Sequence, residues 1–225
     1  MSESGLSAFI SYSVKDKAEA ADVKAALKEY GISSFLAHDD LRISETWKER
    51  ILEELKRCDI FVPLLSEEFR KSNWTDQETG IAFSRNDIVF IPLSLDGTVP
   101  YGFISHVQGK IVPKDGEWDD ILKETLLKHF PRTLIPHLIR NVSKAHSFRK
   151  AESIVEPLVK VFPRFTKKEA NQFAATAVEN NQVWSAHLCR TEYLPTFIKA
   201  HSSHLRAPIL RKLKYQIKYN KWIPK

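Results

Sequence analysis

The chain has 225 residues, of which 43% are hydrophobic and 28% charged, enough apolar material for one large or two small folded domains and too much for a disordered polymer. Two cysteines, Cys58 and Cys189, far apart and outside any CxxC spacing, exclude a disulfide framework and a cysteine zinc site, and both read as small buried hydrophobes. The net charge of +6 divides unevenly: residues 1–139 hold 17 Lys and Arg against 23 Asp and Glu, a net −6, and residues 140–225 hold 17 against 5, a net +12.

No apolar run approaches the roughly 20 residues that span a bilayer. The first residues lack a basic stretch and an apolar core, so no secretory signal is expected and a cytoplasmic location follows. Neither GxGxxG nor GxxxxGK[ST] occurs, which removes the two common phosphate-cradling loops.

In chain order, residues 6–12 (LSAFISY) read as a short buried strand. Residues 15–30 read as a helix with Ala18, Ala21, Ala25 and Leu27 toward the core, stopped at Gly31. Residues 32–36 give a second strand. Ser44 can cap a helix carrying Trp47, Ile51 and Leu55 at i, i+4 and i+8. Residues 59–66 are a strongly apolar third strand, 67–70 a helical turn, 74–85 a helix and 87–95 a fourth strand. A short fifth strand is expected at 109–112 and a helix at 118–129. Apolar strands alternating with amphipathic helices imply an α/β fold with a mostly parallel sheet, covered on both faces. Ligands in such sheets bind beyond the carboxyl ends of strands, here after Tyr12, Leu36 and Ser66.

The second part has a different pattern. Pro131 and Pro136 bracket an expected linker, placing one domain at 1–135 and an all-helical one at 142–225. Helices are expected at 148–162, 167–180, 183–189, 192–201 and 206–219. Thr166 and Glu169 form a capping box at the second of these. His201 and His204 lack the company of other ligands and read as surface histidines, and no metal site is expected.

Several motifs fall in a recognisable order. Ala8-Phe9-Ile10-Ser11-Tyr12-Ser13 leads to Asp16, Phe35-Leu36-Ala37-His38-Asp39-Asp40-Leu41 to Ser44-Glu45-Thr46-Trp47, and Cys58 to Ser66 to the run Phe69, Ser72, Trp74 and Glu78. Ile91-Pro92-Leu93 and Pro100-Tyr101-Gly102-Phe103 follow. Over residues 6–113 this set resembles the TIR (Toll/interleukin-1 receptor) domain family, most closely its prokaryotic-type members. The resemblance implies a flavodoxin-like fold and, in enzymatic members, cleavage of the nicotinamide–ribose bond of NAD+. Glu78, the glutamate of the Trp-x-x-x-Glu motif, is then the catalytic residue, and it lies one helical turn from Trp74.

The substrate-binding candidates are Phe9, Ser11, Tyr12 and Ser13 on the first strand, with Tyr12 and Ser13 at the pocket mouth. Asp39, Leu41 and Arg42 join them from the following loop, and Trp47 and Trp74 from the helices. Ala37 stands where many members carry Asp, and Ser44 where many carry Gly. NAD+ is a substrate in this reading and no cofactor is implied. The expected products are nicotinamide with ADP-ribose or a cyclic isomer, serving anti-phage signalling. The expected partners are other copies of the chain and a nucleotide-sensing effector. A non-enzymatic adaptor acting by self-association and recruitment is the alternative.

Residues 212–225 alternate lysines with Leu213, Tyr215, Ile217, Tyr219 and Trp222. This reads as a solvated face that docks on the acidic half, with neither nucleic acid nor membrane expected as partner.

Overall fold

The computed structural model describes residues 5–37, 47–112 and 118–219. The chain forms two compact units, Met1–His129 and Phe130–Lys225.

The first unit is built on a parallel sheet with β1 (Ser7–Ser11), β2 (Ser33–Leu36), β3 (Ile60–Leu65), β4 (Val89–Phe90), β5 (Leu93–Ser94) and β6 (Lys110–Ile111). The strand order is β2-β1-β3-β5-β6, with β4 also paired to β3 and every ladder parallel. Successive strands leave β1 in opposite directions, so a crevice opens beyond the carboxyl ends of β1 and β3. Helices α1 (Lys17–Glu29), α2 (Trp47–Arg57), α3 (Glu67–Arg70), α4 (Asn73–Phe83) and α5 (Trp118–His129) complete the unit. This is the flavodoxin-like arrangement, a covered parallel sheet.

The parallel register lines up four phenylalanines. Phe9 pairs with Phe35 and with Phe61, and Phe61 pairs with Phe90. Their ring centroids lie 5.3, 5.9 and 5.2 Å apart along this row. Ile51 and Leu55 of α2 and Ala82 of α4 close over the row, and Ala37 and Cys58 are buried with it. Aromatic rows of this kind add to the area they bury.

Local chemistry explains the element ends. Gly31 takes φ +72°, and its N–H bonds Lys28 O while Ile32 N–H bonds Leu27 O, a Schellman stop that only glycine adopts without strain. Arg85 donates to Leu55 O at 2.8 Å and Cys58 O at 2.7 Å, satisfying carbonyls at the end of α2, while Asp87 holds its other face.

Two features of the first unit differ from the sequence expectation. The buried side of α1 is Ala20, Val23 and Leu27, and Ala18, Ala21 and Ala25 are exposed. Alanine contributes little burial either way, so the larger side chains set the face. The fourth strand is two short ones. The ladder to β3 breaks between Phe61↔Phe90 and Leu64↔Leu93, where Pro63 and Pro92 stand opposite each other without N–H donors.

The second unit is helical throughout its described residues: α6 (Pro131–Val142), α7 (Phe148–Val159), α8 (Lys167–Glu179), α9 (Asn181–Ser185), α10 (Leu194–His201) and α11 (Ala207–Tyr219). The expected linker between Pro131 and Pro136 is instead α6. Pro131 occupies the first turn, where its missing N–H costs nothing, and Pro136 forfeits a single bond near the helix start. Burial of Leu134, Ile135, Leu138, Ile139 and Val142 outweighs that loss.

The helix expected at 183–189 also breaks, at Ala186 with ψ 140°, and Leu188 N–H turns to Glu152 Oε1 at 2.8 Å. A π-turn, Cys189–Tyr193, then leads into α10. The capping box forms as expected: Thr166 N–H and Oγ donate to Glu169, and Glu169 N–H donates back. Asn180 donates to Val142 O and Ala145 O, each at 3.0 Å, and accepts from Gln182 N–H. His201 is buried and bonds Phe162 O at 2.7 Å among Phe165 and Phe197, so only His204 of that pair is a surface residue.

Candidate active site

Helix α4 brings a carboxylate to the carboxyl end of β1. Ser72 caps the helix by accepting from Thr75 N–H, and Thr75 Oγ donates to Phe69 O at 2.7 Å, tying α4 to α3. Tyr101 donates to Asp76 at 2.7 Å and receives Arg70 over its ring at 5.0 Å, which holds the outer side. One and a half turns into α4, Glu78 points inward and is 2% exposed.

Ser11, the last residue of β1, donates to Glu78 Oε2 at 2.5 Å. The other oxygen, Oε1, is buried and accepts no hydrogen bond from the described residues. Burial pushes the Glu78 carboxyl up to about 7, and the Ser11 hydrogen bond opposes that rise. A carboxyl that changes charge near neutrality, with one oxygen uncommitted, can meet a developing positive charge.

The loops after β1 and β3 are joined to each other. Ser66 Oγ donates to Asp16 at 2.6 Å while capping α3 through Phe69 N–H. Burial raises the Asp16 carboxyl. The Asp16–Ser66 bond was missed by sequence reasoning, because the two residues stand 50 apart in separate motifs and nothing in either motif pairs them.

Trp47 opens α2 and Trp74 opens α4. Their rings meet edge to face, with centroids 4.5 Å apart and planes at 76°. Trp74 is 39% exposed, so this pair forms an aromatic rim one turn outward from Glu78.

The candidates therefore separate. Ser11 and Glu78 come into contact, and so do Trp47 and Trp74. Phe9 does not take part: it is the fully buried middle of the phenylalanine row, and no ligand can reach it. Tyr12 is also fully enclosed and does not sit at an open mouth, because the packed unit covers the end of β1 there. Ser13 is partly exposed and caps the short turn Val14–Asp16 through Lys15 N–H. Asp39, Leu41 and Arg42 lie outside the described residues, as does Ser44. Ala37 is buried in the core.

Cys58 and Cys189 are free and buried, and burial raises their thiols to about 11 and about 12, which suits inert packing. Among the described residues no helix is long and apolar enough to cross a membrane.

The family model for the TIR domain matches residues 8–127, and the chain belongs to that family. Among solved structures, the chain is similar to the TIR domain of the Toll-related receptor TRR-2 from Hydra magnipapillata, at 18% identity and a TM-score of 0.44, over 56% of this chain and 96% of that one. Comparison with curated proteins gives no match.

Proposed function

We propose that this protein cleaves the bond between nicotinamide and ribose in NAD+, with Glu78 as the catalytic residue. TIR domains include NAD+-cleaving enzymes and non-enzymatic adaptors. The observation that favours the enzyme is the Glu78 carboxyl, buried, raised to about 7 and held by one serine with its second oxygen free.

In this reaction the C1′–N bond breaks and both electrons leave on the nicotinamide nitrogen. C1′ gains oxocarbenium character, as in glycoside hydrolysis. The ionised Glu78 stabilises that charge from the uncommitted oxygen, while Ser11 fixes the carboxylate plane. The cationic nicotinamide ring favours the ionised form of Glu78 as it arrives, and the Trp47–Trp74 rim offers it an aromatic face. Water attack at C1′ yields ADP-ribose and a proton, and attack from within the molecule yields a cyclic isomer. Cytoplasmic anti-phage signalling, with self-association switching the enzyme on and a nucleotide-sensing effector downstream, is the setting we assign to it.

The test is release of nicotinamide from NAD+ by the purified full chain, followed by chromatography in dilute, concentrated and crowded samples. Wild type should release it and Glu78→Ala should not. Equal release by the two under every condition removes the enzyme reading. The low exposure of Glu78 favours a second reading, an adaptor without catalysis, in which Glu78→Ala leaves partner recruitment intact.

A further inference from the structure

We propose that the helical unit binds single-stranded nucleic acid along a cationic and aromatic track formed by α8 and α11. The track begins in a cleft lined by Lys167, Lys168 and Gln172 of α8 and by Arg206 and Ile209. Asn171 builds its wall, donating to Lys167 O and His204 O at 2.8 Å each and accepting Arg206 N–H at 2.9 Å. Those bonds hold the segment before α11 against the first turn of α8, and three cations converge.

From Ile209 the track continues along α11. Lys212, Tyr215 and Tyr219 recur at i, i+3 and i+7 and share one stripe. The stripe faces outward, because Leu213 and Gln216 are the buried residues of α11 and Gln216 is anchored to Val178 O at 3.0 Å. Tyr215 and Tyr219 are 58% and 59% exposed, large for aromatic side chains. Their rings pair at 5.1 Å, and Lys218 sits 5.0 Å from the Tyr219 ring.

Charge names the partner as a polyanion. Residues 193–225 contain eight Lys and Arg and no Asp or Glu. Among the described residues none of Lys167, Lys168, Arg206, Lys212 or Lys218 is ion-paired. The tyrosines narrow the class further. Exposed flat rings beside cations form a stacking platform for bases, and bases are free to stack only in a single strand. A bilayer anchor needs a continuous apolar face, and the exposed positions of α11 from Arg211 onward are Arg211, Lys212, Lys214, Lys218 and the two tyrosines, with no leucine or isoleucine among them.

The test uses the full chain and fluorescein-labelled 20-nucleotide single strands of mixed sequence, DNA and RNA, read by anisotropy. Unlabelled duplex and phosphatidylserine vesicles serve as competitors. Single strands should bind at 50 mM salt and outcompete duplex by tenfold or more. With about four phosphates neutralised, a slope near −0.7 per phosphate gives a loss of about 50-fold between 50 and 200 mM salt. Replacing Tyr215 and Tyr219 together by Ala should weaken binding at least tenfold with the salt slope unchanged, and Phe at both positions should restore it. Lys212→Ala with Lys218→Ala should flatten the slope. A thermal melt checks that each variant is folded. Absence of binding at 50 mM salt, equal competition by duplex or vesicles, or full affinity in the double Ala variant would overturn the proposal.

Discussion

Glu78→Gln separates the electrostatic argument from the structural one. In the folded chain Glu78 holds its proton up to about pH 7, whereas in the unfolded chain it ionises near 4.5. Between those values the folded state binds more protons than the unfolded state, so stability falls as pH rises. The contribution is fully present below about pH 4.5 and is lost as pH passes about 7. At about 1.36 kcal/mol for each pH unit of separation, the full loss is about 3 kcal/mol.

Gln keeps an acceptor for Ser11 and cannot ionise, so it should be the more stable form at pH 8. The advantage should grow by about 2 to 3 kcal/mol between pH 5 and pH 8, following the same linkage. With unfolding entropy near 2.1 cal/mol/K per residue, that is about 9 °C in Tm if the first unit melts alone and about 5 °C if the whole chain melts together. The assay is denaturant unfolding followed by circular dichroism at pH 5, 6, 7 and 8 on both proteins, comparing differences so that other titrating groups cancel. A difference between Gln and wild type that stays constant or shrinks with pH would falsify the buried-carboxyl argument.

Three further outcomes are expected. Because Ser11 favours the ionised carboxylate, Ser11→Ala should move the Glu78 titration upward, seen as a shift of the acid limb of kcat/KM to higher pH without loss of the fold. Trp74→Ala removes one edge-to-face contact from a partly exposed site and should cost about 1 kcal/mol of stability, while lowering kcat/KM for NAD+ at least tenfold; an unchanged kcat/KM removes the rim from the substrate path. Asn180→Ala removes the side-chain donor from Ala145 O and one of two donors from Val142 O and uncaps α9, and should lower unfolding stability by about 2 kcal/mol, read as a lower denaturant midpoint at unchanged slope.

Much of this protein is legible without coordinates. The apolar runs mark β1 and β3 because strands buried on both faces need no polar alternation. Gly31 marks a helix stop because its φ of +72° is strained for other residues. Ser11 and Glu78 are both named by their motifs. Two of the misreadings share a cause: Pro136 inside α6 and the alanines of α1 each show a local preference overruled by the burial of larger side chains, whereas the fourth strand is split by the missing N–H of Pro92 itself. A single residue's propensity amounts to about 1 kcal/mol, and a proline's in a helix to about 3, whereas a row of buried aliphatics contributes several.

By itself, then, the sequence determined the order of elements, the acidic and basic halves and the identity of the candidate carboxylate, since these follow from periodicity, counting and short motifs. Only the tertiary structure decided which residues meet. It placed Ser11 against Glu78 across 67 residues of chain, withdrew Phe9 and Tyr12 into the core, and turned Tyr215 and Tyr219 outward. Contact and burial between distant segments depend on how whole elements pack, and no local pattern in the chain encodes that.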